Sequence, residues 1–153
     1  GCRSDFTRFW MEEIVMSLTD LALENYAAGY NCSEAIIRAC DAYYGLDLHE
    51  EDLKMMAGFG SGMYTGLTCG ALCASIAALS KMTVETKAHD HLDTLRPYSQ
   101  KVVAAFNKKL GATQCAQVKP VHYTKAFKCR ETVRLASESL EEVMDEIARI
   151  EEK

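Results

Sequence analysis

Four of the nine glycines in this chain fall within nine residues, Gly58-Phe-Gly-Ser-Gly-Met-Tyr-Thr-Gly66. A glycine in a helix interior costs roughly 0.8–1 kcal/mol relative to alanine, so this stretch cannot hold a helix. It must be a loop. Elsewhere the pattern is helical: only two prolines occur in 153 residues, and no segment sustains the period-2 alternation of a strand. The periodicity predicts a first helix over about 12–28, ended by Gly29. Asn31-Cys-Ser-Glu34 reads as a capping box with asparagine as the N-cap. The helix it opens carries Ala35, Ile36, Ala39, Cys40 and Tyr43 on one face and stops at Gly45. A short helix near 50–57 follows, its Glu50, Glu51 and Asp52 suited to a positive helix start.

Beyond the loop, Thr68 is expected to cap a helix over 69–80. Its Gly70, Ala71, Ala74, Ala77 and Ala78 would let another backbone come close, which makes it the central helix. The next helical stretch spans about 84–110, interrupted or kinked at Pro97, and ends at Gly111. A loop with a short turn around Cys115 leads past Pro120 to a last helix over 124–150. There Val133, Ala136, Leu140, Val143, Ile147 and Ile150 alternate spacings of three and four. The run is short of three full heptads, so docking onto the core is expected, with a homodimer seam as the alternative. The fold class is therefore all-α, a single-domain bundle of about five to six helices with the glycine-rich loop before a central small-residue helix.

Length and charge restrict the function. A chain of 153 residues reads as one domain. Gly1 is no initiator and Met11 reads as a start, so 1–11 is expected to be an N-terminal extension and 12–153 the helical domain. The net charge of −5 and the pI near 5.4 argue against a nucleic-acid groove, which needs clustered cations. The longest mostly apolar stretch, 67–79, is too short for the ~20 residues of a membrane span. No apolar signal segment is seen at the N-terminus, so a cytoplasmic location is expected. Permanent disulfides are uncommon there, and seven cysteines need another explanation.

Two cysteines follow predicted N-caps, Cys32 after Asn31 and Cys69 after Thr68, and Cys115 lies two residues after Thr113. The first turn of a helix offers unpaired N–H groups and a partial positive charge, which lower a thiol's pKa from about 8.5. Cys129 sits between Lys128 and Arg130, which would act the same way if they point at it. Cys40 and Cys73 lie among apolar neighbours and are expected to be core, although Cys73 shares a helix face with Cys69. No C-x-x-C occurs, so a vicinal redox pair and covalent haem are not expected. Any four-sulfur site must be assembled by the fold from separate helices. Gly58, Gly60, Gly62 and Gly70 are candidates to line it, bringing backbone N–H groups to the Cys69 sulfur and tuning its charge or that of a cofactor. Among the four histidines only His122, close in sequence to Cys115 and Cys129, is kept as a candidate base or ligand.

These motifs resemble the redox-active four-cysteine family labelled C-GCAxxG-C-C. The carrying residues are Tyr30-Asn-Cys32-Ser-Glu-Ala, Gly58-Phe-Gly-Ser-Gly-Met63, Thr68-Cys-Gly-Ala71, Thr113-Gln-Cys115 and Cys129. The resemblance implies that Cys32, Cys69, Cys115 and Cys129 are the family's signature cysteines, with Gly70 and Ala71 in its central motif. It also implies an all-helical domain with a thiol-redox or electron-transfer role. The sequence departs from the pattern at Ala74, where the family has glycine, and in the extra Cys73.

The reading is a small redox protein, a candidate thiol-based oxidoreductase, using Cys32, Cys69, Cys115 and Cys129 to exchange disulfides or electrons. Its partner would be a redox protein or a small thiol or electron carrier. One alternative has the same four thiolates holding zinc or an iron–sulfur cluster. Another is a non-catalytic helical interaction module. Four cysteines allow three pairings, and the sequence does not choose among them.

Overall fold

The computed structural model describes residues 16–153. The expected extension at 1–11, Cys2 and the predicted helix start at 12 lie outside the described residues. The described residues form seven α-helices: α1 (Leu18–Ala27), α2 (Cys32–Tyr44), α3 (Glu50–Leu53), α4 (Gly70–Thr83), α5 (Leu92–Leu110), α6 (Cys115–His122) and α7 (Arg130–Glu151). No strand occurs among them, only two isolated β-bridges. The all-α class stands, and the helix count is seven rather than five to six.

The added helix is α6, expected as a loop. Pro120 lies inside it and costs it one hydrogen bond, tolerable in the last turn of an eight-residue helix. Three boundaries also differ. The helix expected over 50–57 is α only to Leu53 and continues as a 3-10 helix over Lys54–Phe59. The stretch expected as helix from 84 holds only a 3-10 turn at Ala88–Asp90 before Leu92, and α5 then runs through Pro97. The reason is local. Thr86 Oγ1 and Lys87 Nζ donate to Asp90 Oδ2 at 2.6 and 2.8 Å, closing a turn that competes with helix. The last helix starts at Arg130 rather than 124, because Thr124 and Lys128 bond each other's backbone at 3.1 and 2.6 Å. The Phe127 N–H also goes to Thr124 Oγ1.

The caps fall where the sequence puts them. Asn31 Oδ1 accepts the Glu34 N–H at 3.0 Å, and Glu34 Oε1 accepts the Asn31 N–H at 3.1 Å. A second capping box, Ser17 with Asp20, starts α1. Gly45 and Gly111 end α2 and α5 in left-handed geometry, where a side chain would be strained.

Five helices close a ring: α1 packs on α2, α2 on α4, α4 on α5, α5 on α7 and α7 back on α1. The core fills the ring with Leu18, Ile36, Leu79, Val102, Phe106 and Leu140. Cys40 is fully buried in it, as expected. Burial pushes its thiol up to about 12. The α7 stripe faces this core from Val133 to Ile147, and only Ile150 is exposed, so it docks within the chain. No helix among the described residues is long and apolar enough to cross a membrane.

Leu140→Ala should therefore lower unfolding free energy in urea by about 2–5 kcal/mol. Ile150→Ala should stay within about 0.5 kcal/mol of the parent chain. Equal effects would place the stripe on an intermolecular seam instead.

Candidate functional site

Cys32, Cys69, Cys115 and Cys129 each open a different helix. Cys32 and Cys115 are the first residues of α2 and α6, and Cys69 and Cys129 are the N-cap residues of α4 and α7. Thr68 is thus not the cap of α4. It pairs instead with Gln114 in an antiparallel bridge. The Cys69 N–H donates to the Thr113 carbonyl at 2.8 Å and the Cys115 N–H to the Leu67 carbonyl at 2.6 Å. Two backbone bonds thereby hold the starts of α4 and α6 side by side.

Cys32 and Cys69 act directly on each other. Both are buried, at 7% and 3% exposure. The Cys69 S–H donates to the Cys32 sulfur, and this bond is the largest cause of a lowered Cys32 pKa. Burial opposes the shift. The N–H groups of Ser61, Ser33 and Ala71 add to it. Two helix starts and one loop therefore point donors at a single sulfur. The same hydrogen bond pushes Cys69 far up, since its proton is held by the Cys32 thiolate, and burial and the Cys32 charge push it further. The expectation of a lowered pKa at both helix starts holds only for Cys32, because two adjacent thiolates would repel in a buried place.

The loop supplies the Ser61 donor through an unusual backbone. Ser61, Gly62, Met63 and Tyr64 all have positive φ, between 52° and 62°. This is one turn of left-handed helix, costing roughly 1–2 kcal/mol at each non-glycine residue. The side chain of Asn31 fastens it, donating through Nδ2 to the Ala57 carbonyl at 2.9 Å and to Tyr64 Oη at 3.3 Å. Buried Ser33 donates to the Met56 carbonyl at 2.7 Å. The cap of α2 is thus also the clasp of the loop.

The glycines divide. A Cβ on Gly70 would lie 2.5 Å from the Phe59 carbonyl oxygen and 2.9 Å from Cys32 Sγ. One on Gly62 would meet Cys115 Cβ at 2.8 Å, and one on Gly60 would meet Asn31 Nδ2 at 2.4 Å. These three are places of close approach. Gly58 has nothing within 4 Å. The loop serves Cys32 through Ser61, rather than Cys69 as the sequence suggested.

Cys115 and Cys129 are half-buried, and burial raises both thiols. Both feel the charge of Cys32, and Lys119 partly offsets the rise. Neither Lys128 nor Arg130 figures among the groups acting on Cys129. Lys128 is exposed, and Arg130 lies over the Phe127 ring at 5.5 Å. Cys73, expected as core filler, is half-buried and close enough to Cys32 to feel its charge. His122 is not aimed at the sulfurs. Its Nε2 donates to the Leu110 carbonyl at 2.9 Å, tying α6 to α5.

Tyr26 on α1 belongs to the site and carries no sequence signal. Its hydroxyl accepts the Cys129 N–H at 3.0 Å across 103 residues of chain. It also holds down the Cys129 thiol through a hydrogen bond. Burial raises the phenol's own pKa.

A family model described as "Putative redox-active protein (C_GCAxxG_C_C)" matches residues 30–143, about three-quarters of the chain. The chain belongs to this family. No curated protein and no solved structure gives a match. The family description supports a redox role in general terms, and Cys32, Cys69, Cys115 and Cys129 of this C-GCAxxG-C-C protein lie within the matched span. Cys69-Gly70-Ala71 forms the start of α4, where Gly70 lies close against Cys32. Among the described residues, no group of three or more His, Cys, Asp or Glu side chains is placed to hold one metal ion. The described donors as arranged do not fit a zinc or iron–sulfur centre.

Gly70→Ala must displace the Phe59 backbone or the Cys32 sulfur, and should cost about 1–3 kcal/mol in urea unfolding. It should also slow Cys32 alkylation at neutral pH. Gly58→Ala, in open space, should leave both within error.

Proposed function

We propose that this protein is a thiol–disulfide exchange carrier with an inner and an outer pair of cysteines. The observation that carries the reading is the setting of Cys32, a sulfur buried at the start of α2 with the start of α4 closed against it at Gly70. Its thiol is lowered chiefly by its hydrogen bond with Cys69 and further by the backbone at Ser61, Ser33 and Ala71. Such donors favour thiolate at neutral pH, and thiolate is the reactive form. Cys115 and Cys129, half-buried as Cys73 also is, are taken as the thiols an outside disulfide reaches.

The sequence of steps follows from this division. An outer thiol loses its proton to solvent and attacks one sulfur of an oxidised partner. The partner's S–S bond breaks, a mixed disulfide forms and the partner's other sulfur leaves as thiolate. The Cys32 thiolate then attacks the outer cysteine's sulfur, displacing the second partner thiolate. Cys69, released from its hydrogen bond, loses its proton and attacks Cys32, and the outer cysteine leaves as thiolate. Two electrons have passed to the partner, which is now a dithiol, and the protein holds a Cys32–Cys69 disulfide. Every step is thiolate attack on a disulfide, so the cycle is reversible. Tyr26 steadies the outer end by its hydrogen bond to Cys129.

The test is disulfide mapping by mass spectrometry after graded oxidation of the reduced chain with bis(2-hydroxyethyl) disulfide. The Cys32–Cys69 crosslink should accumulate as the end product. Cys115→Ser combined with Cys129→Ser should slow its formation on the order of 10-fold or more. Free thiols at Cys32 and Cys69 after full oxidation of the outer pair would contradict the reading.

A further inference from the structure

The charge of this chain is unevenly placed. Positions 94–130 hold eight Lys and Arg and no Asp or Glu, in a protein of net charge −5. Part of this excess is neutralised on one side of the molecule, where Lys101 pairs with Glu146 and Lys109 with Glu142. The other end is not. Lys119, Lys125, Lys128 and Arg130 take part in no ion pair among the described residues. They surround Cys129 in sequence, and Lys119 acts on both outer sulfurs.

The same end displays apolar surface on a fixed frame. Every residue from Tyr123 to Lys128 is exposed, and Phe127 is 60% exposed. The 124–128 loop is nonetheless tied shut by the two Thr124–Lys128 backbone bonds and by Thr124 Oγ1. Phe127 stands between two cavities. One, of about 410 Å³, runs along Leu23, Tyr26, Lys128 and Arg130. The other, of about 550 Å³, runs along Val121, His122, Arg130 and Arg134. The acid bordering it, Glu131, is paired with Arg134. An aromatic anchor held on a rigid loop, flanked by pockets and a cationic rim, is the composition of a protein docking site.

We propose that this face receives an acidic protein partner and presents that partner's disulfide to Cys129 and Cys115. The inference rests on the thiol-exchange reading and adds the partner's chemistry. Four cations with no ion pair among the described residues complement a carboxylate-rich rim, and the attraction would speed encounter and weaken with salt. Phe127 would enter an apolar recess beside the partner's disulfide.

The experiment uses the full reduced chain and three synthetic probes, disulfide-linked dimers of a short cysteine peptide rich in Glu, Gln or Lys. Release of peptide thiol gives the exchange rate. At low salt the Glu peptide should react on the order of 10-fold faster than the Gln peptide, and the Lys peptide slowest. The Glu-over-Gln ratio should collapse towards one at about 0.5 M salt. Lys125→Glu combined with Lys128→Glu should bring it to one or below at low salt. Equal rates for the three peptides would overturn this inference alone. No exchange with any of them would remove the thiol-exchange reading and this inference together. A dimer in sedimentation equilibrium that the double variant abolishes would assign the face to a second copy, and would equally overturn the acidic partner.

Discussion

The hydrogen bond from Cys69 to Cys32 is the interaction on which the site depends. Two thiols in buried contact share their protons unequally. The first proton leaves readily, because the remaining S–H and three N–H groups stabilise the anion. The second is held hard, because its loss would leave two negative sulfurs side by side. In the proposed exchange the inner pair would be one nucleophile and one proton-bearing resolving thiol. The chemistry needs that division, and it comes from contact rather than from either residue's own helix.

Much of the surrounding structure can be read as what it takes to hold this contact. The α4 start must come close enough for Cys69 to reach Cys32, so position 70 has no room for a Cβ. The loop between α3 and α4 must turn Ser61's N–H onto the same sulfur, so it takes a left-handed path through three non-glycine residues. That path is unfavourable by itself and is held by Asn31 and Ser33 at the start of α2. Asn31 therefore caps a helix, clasps a strained turn and fixes the residue next to it as the thiolate. Linkage follows with a definite sign. Cys32, lowered in the folded state, adds stability above the unfolded thiol's pKa that is lost as pH falls through its folded value. Cys40 acts oppositely: its thiol is raised to about 12, so its contribution is intact below about 8.5 and lost as pH climbs towards that value.

The sequence was most informative where the physics is local. The caps at Asn31, Gly45 and Gly111, the small-residue character of α4 and the glycines at 60, 62 and 70 all follow from residue type and spacing. So does the placing of Cys32 and Cys69 at helix starts. What was not legible depends on contacts between distant segments. Tyr26 is an ordinary tyrosine in the last turn of α1 until Cys129 arrives beside it. The opposite shifts of Cys32 and Cys69 require their contact, since the hydrogen bond between them is the largest cause of both. The helix at 115–122 was hidden by Pro120, and the late start of α7 by the Thr124–Lys128 pairing, which no periodicity announces. Lys128 and Arg130 flank Cys129 in sequence, but the cation that acts on it is Lys119, one helix away.

The central claim is that Cys32 and Cys69 titrate as an unequal pair. Carbon-13 labelling of the cysteine Cβ positions, followed by NMR across a pH series of the reduced protein, reads each thiol separately. The account predicts that Cys32 ionises below the ordinary thiol range while Cys69 stays protonated through it, and that Cys69→Ala moves Cys32 back upward. A Cys32 that titrates at the ordinary value, unmoved by that substitution, would contradict it.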